Sequence, residues 1–160
     1  MTHNIIAVLD DIRSALNVGA IFRTCDAAGI TQLVLSGITP YPPHNRIPKT
    51  ALGAIDSVNW KHERDKQQVI AQLQKEQIKI VSVELTPAAE PMWNFSFPEP
   101  VAVVFGNEVS GVAPEFLEVS AGVVKVPMFG QKESLNVATC FGIIMYEIIR
   151  QYHENNIGQS

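Results

Sequence analysis

Cysteine is scarce in this chain, with two residues, Cys25 and Cys140, in 160. They form no CxxC pair, which argues for reduced thiols in a cytoplasmic protein rather than a disulfide framework or a metal site. Long apolar runs are missing too. No stretch approaches membrane-spanning length, and the opening "MTHNIIAVLDD" has none of the basic, apolar and small-residue order of a secretory signal. Basic residues are outnumbered, 12 Lys and Arg against 16 Asp and Glu, so the formal charge of −4 speaks against a generic polyanion binder. No GxGxxG occurs. Gly106 and Gly111 have GxxxxG spacing without the following Lys-Ser/Thr, so the chain has no P-loop.

What is present is an ordinary globular composition, 46% hydrophobic and 18% charged. One domain over residues 1–152 is expected, with a frayed tail at 153–160. The charge is unevenly spread. Residues 13–66 hold seven basic side chains (Arg13, Arg23, Arg46, Lys49, Lys61, Arg64, Lys66) against four acids, a net +3 that leaves −7 elsewhere. A local basic surface inside an acidic protein is therefore possible.

Strand and helix signals alternate. Strands are expected at "NIIAVLD" (4–10), "TQLVLSG" (31–37), "IKIVSVEL" (78–85), "PVAVVFG" (100–106) and "GVVKVP" (122–127). Helices are expected from 15 to a stop at Gly29, near 64–76, near 113–119, and from Ser134 to about Gln151. Pro40, Pro42, Pro43 and Pro48 keep the intervening loop irregular. This alternation predicts an α/β domain whose mainly parallel sheet carries helices on both faces. Ligands in such sheets bind beyond the carboxyl ends of strands, here "GNEVSGVAPEF" and "PMFGQKESLNVATC".

Two helices stand out. In "ALNVGAIFRTCDAAG" (15–29), Val18, Ile21, Phe22 and Cys25 form an apolar stripe, while Arg23 on the opposite face is surrounded by Gly19, Ala20 and Ala27. Small residues there leave room around one arginine. In the last helix Ser134 is placed as the N-cap. Val137, Phe141, Ile144 and Ile148 form one stripe; Ala138, Met145, Ile149, Leu135 and Tyr146 form a second. Apolar breadth of that kind predicts a symmetric homodimer through this helix.

Taken together, "NVGAIFRT" (17–24), "FGNEVSGV" (105–112) and "VPMFGQKESLNVATCFGIIMYEIIRQ" (126–151) resemble the three motifs of the SpoU, or TrmH-like, branch of the SPOUT RNA methyltransferases, in order and spacing. "GITPYPPHNRIPKTALGAIDSVNW" (37–60) is similar to the corresponding family segment. The resemblance implies a deep carboxyl-terminal trefoil knot, an exception to the rule of un-knotted chains. It implies an obligate dimer, S-adenosylmethionine as methyl donor, and methylation of a ribose 2′-hydroxyl in tRNA or rRNA, with tRNA favoured. Carried over by motif, Arg23 matches the catalytic arginine and Asn17 its neighbour; Glu108, Ser134 and Asn136 match the remaining polar positions. The cofactor is expected against Leu85, Gly106, Val126, Met128, Ser134 and Leu135. Arg13, Arg46, Lys49, Lys61 and Arg64 are candidates for RNA phosphate contacts, and no metal is expected. The competing readings are a base-nitrogen methyltransferase of the same superfamily and a non-catalytic RNA-binding or assembly factor.

Overall fold

Alternate side chains of β1 (Ile5–Asp10) serve two different cores, which is why every residue of this strand is buried. Ile5, Ala7 and Leu9 face one cluster, and Ile6 and Val8 face the other. β6 (Val101–Phe105) divides in the same way, with Val101, Val103 and Phe105 on one side and Ala102 and Val104 on the other. Strands buried on both faces read as unbroken apolar runs, and a parallel sheet between helix layers is the structure that uses them. The computed structural model describes residues 2–159.

The remaining strands are β2 (Gln32–Ser36), β3 (Trp60–Glu63), β4 (Lys79–Val83), the two-residue β5 (Glu90–Pro91) and β7 (Gly122–Lys125). Together they make one seven-stranded sheet in the order β3-β2-β1-β6-β4-β7-β5. All of the pairings are parallel. Helix α1 (Ala15–Ala28) and helix α5 (Val137–Ile157) cover one face, and α3 (Lys66–Lys75) and α4 (Pro114–Val119) cover the other. Neither face is left to solvent, as the alternating pattern predicts.

Several local expectations need correction. The proline-rich loop is not wholly irregular: α2 (Pro48–Ala51) starts on Pro48, where a missing N–H costs nothing. Gly19 does not open space beside Arg23. It is buried, and an added Cβ would lie 2.1 Å from Thr50 Oγ1 and 2.3 Å from the Ile47 carbonyl oxygen. The glycine lets α2 press against α1, while Arg23 itself is exposed. The last helix starts later than expected, because Asn136 rather than Ser134 is its N-cap. Asn136 Oδ1 accepts from the backbone N–H groups of Ala138 (2.9 Å) and Thr139 (3.3 Å). Ser134 and Leu135 therefore lie in the preceding loop.

That helix also ends later, since the expected fraying from residue 153 is replaced by helix through Ile157. Arg150 bridges Glu147 at 2.8 Å and Glu154 at 2.7 Å along the same face, and Gly158 is the first breaker. Much of the helix's apolar breadth is used within the subunit. Phe141, Ile144, Met145 and Ile148 are fully buried, and Phe141 packs on Phe105 of β6 at a ring-centroid distance of 4.9 Å. Ile143 and Tyr146, 36% and 50% exposed, are the large apolar side chains that α5 leaves open before its last residue. Among the described residues no helix is long and apolar enough to cross a membrane.

Candidate active site and cofactor cavity

β4, β6 and β7 are neighbours in the sheet, and their carboxyl ends open into one cavity of about 300 Å³. Its wall includes Leu85, Gly106, Val126, Met128, Ser134 and Leu135, the six positions at which a cofactor is expected. Phe105, Val137 and Cys140 add apolar surface. Burial pushes the Cys140 thiol up to about 11, so it lines the wall as a neutral group. Cys25 is unpaired as well.

The loop after β6 is shaped by its own residues. Asn107 and Gly111 exchange backbone hydrogen bonds of 3.0 and 2.9 Å, folding the loop back on itself. Asn107 Oδ1 accepts from the N–H groups of Val109 (2.9 Å) and Ser110 (3.0 Å), and its Nδ2 donates to the Asp11 carbonyl at 2.8 Å. Gly106 is needed because a Cβ there would meet the Gly111 and Val112 backbone at 2.4 Å. Its close approach is thus to the returning loop, a role the strand-end glycine did not reveal in the sequence.

Glu108 ties this loop to the first helix. Its carboxylate accepts from the backbone N–H groups of Arg13 (2.9 Å) and Ser14 (3.1 Å), and Ser14 Oγ in turn caps α1 by accepting from Asn17 N–H at 3.2 Å. A negative charge at unsatisfied donors of a helix start is stabilising. Asn17 Oδ1 then accepts from Asn136 Nδ2 at 3.1 Å. Glu108 and Ser134 thus line the cavity, while Asn17 and Asn136, outside its wall, are linked to Glu108 through Ser14.

Arg23 is not part of this group within the chain. It does not line the cavity, and among the described residues it has no hydrogen-bond or ion-pair partner. It lies eight residues beyond Ala15 along α1, a rise of roughly 12 Å from the end of the helix that Glu108 holds.

The basic candidates separate in the same way. Arg13 and Arg46 share a second cavity of about 520 Å³ with Ser14, Leu16 and His44, adjoining the first across Glu108 and Val109. Lys49 is exposed on α2, and Lys61 and Arg64 lie on or just after the edge strand β3, in neither cavity. Lys66 contributes little to a basic surface: it donates to Asp11 Oδ2 at 3.0 Å and sits 3.4 Å from Asp10 Oδ1. Glu84 and Lys125 also line the cofactor cavity, and no sequence motif singled them out. Their signal lay in topology, since only the sheet order brings the ends of β4 and β7 to β6.

A nucleoside-sized cavity beyond the carboxyl ends of a parallel sheet, walled by apolar side chains and by a backbone segment (126–136) in no regular structure, defines a class of nucleotide-cofactor enzymes. Comparison with known proteins names the member. Residues 4–146 match the model of the SpoU rRNA Methylase family, and the chain belongs to that family. It is 29% identical over 158 residues to a tRNA (guanosine(18)-2′-O)-methyltransferase of Aquifex aeolicus, covering 96% of this chain and 72% of the relative. A 23S rRNA (guanosine-2′-O-)-methyltransferase of Vibrio parahaemolyticus is 29% identical, covering 92% of this chain and 59% of the relative. In fold the chain matches the SpoU methyltransferase AviRb of Streptomyces viridochromogenes, solved in complex with AdoMet, with a TM-score of 0.88 at 22% identity. That match covers 96% of this chain and 63% of the other. The protein is accordingly an RNA methyltransferase that uses S-adenosylmethionine.

The residues present fit that donor. The cavity volume suits a nucleoside, the Leu85, Phe105, Val126 and Leu135 side chains suit the face of an adenine, and the irregular 126–136 segment offers backbone groups to its edge.

Proposed function

We propose that this protein transfers a methyl group from S-adenosylmethionine to a ribose 2′-hydroxyl of tRNA or rRNA, with tRNA favoured. The observation that carries the reading is the gathering of Leu85, Gly106, Val126, Met128, Ser134 and Leu135 on one cavity wall, with Asn17, Glu108 and Asn136 linked beside it. Bound there, the donor supplies a methyl group on a positively charged sulfur that needs no further activation to leave. The chain's task is to position the hydroxyl in line and to ease loss of its proton.

Arg23 is assigned that second task. Guanidinium stays protonated in proteins, so its contribution is a fixed positive charge that favours the ionised hydroxyl and holds a neighbouring phosphate. Because Arg23 stands away from the cavity of its own chain, the reading requires a homodimer in which one subunit's arginine serves its partner's cavity. Ile143 and Tyr146, exposed on α5 beside α1, are the apolar surface for that contact. Glu108 holds the start of α1 in place, and Asn136 fixes the loop that carries Ser134. Arg13, Arg46, Lys49, Lys61 and Arg64 are assigned to RNA phosphates, and residues 1–152 to one catalytic unit with the family's knotted carboxyl-terminal path. A cytoplasmic address suits the two unpaired thiols.

The test is methyl transfer from labelled donor to total tRNA and, separately, to ribosomal RNA. A methyl group on ribose, recognised by resistance of the adjoining linkage to alkali, supports the reading. Label on a base, or none on either RNA, overturns it. Mixing Arg23→Ala subunits with subunits whose cavity is blocked by Leu135→Arg tests the shared site: restored activity is expected, and activity absent from the mixed dimer overturns it.

A further inference from the structure

Glu84 and Lys125 stand at equivalent points on neighbouring strands. β4 and β7 run parallel with Val83 opposite Val124, so the next residue on each continues the same register. Side chains opposite one another in a sheet project to the same side, and these two both line the cofactor cavity. They are of opposite charge, yet no ion pair joins them among the described residues, and Lys125 has no other carboxylate partner there.

Glu84 is held by one oxygen only. Oε1 accepts the backbone N–H of Val112, and Gly111, at φ +77°, brings its backbone against the carboxylate, where an added Cβ would lie 2.5 Å from Oε1. Oε2 takes no donor among the described residues and is not buried. An acceptor fixed at one end and open at the other is a prepared contact. Both side chains are part-exposed, so water solvates their charges in the open cavity and a ligand of complementary charge can take its place. The ligand chemistry that completes both at once is a zwitterion.

We propose that Glu84 and Lys125 receive the α-ammonium and the α-carboxylate of the donor's amino-acid tail. This rests on S-adenosylmethionine occupying the cavity and adds the groups that select it. The pair makes the site prefer an adenine nucleoside carrying an amino acid over plain adenosine, and Glu84 disfavours nucleotides carrying phosphate there. Neither residue belongs to the motif positions assigned to catalysis.

Calorimetry with the purified full chain tests this, using S-adenosylmethionine, S-adenosylhomocysteine and 5′-methylthioadenosine, the last lacking the amino-acid tail. Glu84→Gln keeps an oxygen for Val112 N–H, and Lys125→Met keeps the aliphatic stem. Each is expected to weaken the two tailed ligands about tenfold, the size of one charge-assisted hydrogen bond, and to leave 5′-methylthioadenosine unchanged. Equal weakening of all three ligands, with or without a lowered melting temperature, overturns the proposal and makes Glu84 a loop support. Unchanged affinity for the tailed ligands overturns it as well. If the unsubstituted protein takes up none of the three, the cofactor reading itself fails, a result distinct from either.

Discussion

Asn136 Nδ2 donates to Asn17 Oδ1 across 3.1 Å, joining the cap of the last helix to the first turn of the first. The two residues are 119 positions apart. Asn136 thereby does two things with one side chain, since its Oδ1 already caps α5. Replacing it with Ala removes a cap worth about 1 kcal/mol and releases the 126–136 loop. Asn136→Ala should lower the melting temperature by a few degrees and weaken S-adenosylmethionine binding. Asn136→Ser should restore the cap and the stability, but the serine side chain is too short to make the hydrogen bond to Asn17. Equal melting temperatures for all three proteins would remove Asn136 from this role.

Arg23 lies outside the cavity of its own chain, and that separates its two measurable effects. Arg23→Ala should reduce turnover on RNA by about 100-fold or more while leaving donor affinity nearly intact, as expected for a group that acts on developing charge. Single-turnover kinetics together with donor calorimetry read the two quantities independently. Loss of donor binding in proportion to turnover would contradict the assignment.

Among the basic candidates, Arg13 and Arg46 adjoin the cofactor cavity and the others do not. RNA affinity should fall steeply with salt, because phosphate contacts release counterions. Arg13→Ala and Arg46→Ala should each reduce the slope of log affinity against log salt by roughly 0.7 to 0.9, the share of one phosphate. Filter binding across a salt series checks this, and a flat dependence in the unsubstituted protein would eliminate all five.

Lys66 gives the protein a pH-dependent element away from the active site. Asp10 is 1% exposed, and burial raises its pKa above the usual carboxylate value. Burial also opposes the charge on Lys66, but Asp11 and Asp10 outweigh it, and the net shift is upward from 10.5. A lysine with a raised folded-state pKa contributes stability fully below its unfolded pKa and loses it as pH rises through the folded value. The melting temperature should therefore decline above pH 10.5 more steeply than in Lys66→Met. Near neutral pH that variant should be less stable by about 2 kcal/mol, because Asp10 loses its counter-charge. Parallel pH profiles for the two proteins would show that the lysine is not coupled to the aspartates.

Much of this molecule is legible in one dimension. The double-sided burial of "IIAVLD" and "VAVVF" follows from unbroken apolar runs, and the positions of β1, α1, β2, β6 and α4 follow from local period and turn chemistry. The two loops that border the cavity were legible too, since they follow strands where a parallel sheet binds ligands, while the six wall positions were implied by the family resemblance and not by local pattern. The two ends of the last helix were not legible. Ser134 and Asn136 are both good caps, and the choice between them depends on which loop conformation the cavity needs.

The tertiary structure alone decided three things. It turned Gly19 from a space beside an arginine into the seat of α2, because Thr50 and Ile47 arrive from a distant loop. It withdrew Lys66 from the basic surface by bringing it to Asp10 and Asp11 across 55 residues. It set Glu84 beside Lys125, since the order β6-β4-β7 is a pairing choice that no local pattern encodes. Local propensity acts over one or two turns of chain, so it specifies the elements; contacts between distant segments, which make the charge partners and close approaches, exist only once those elements have packed.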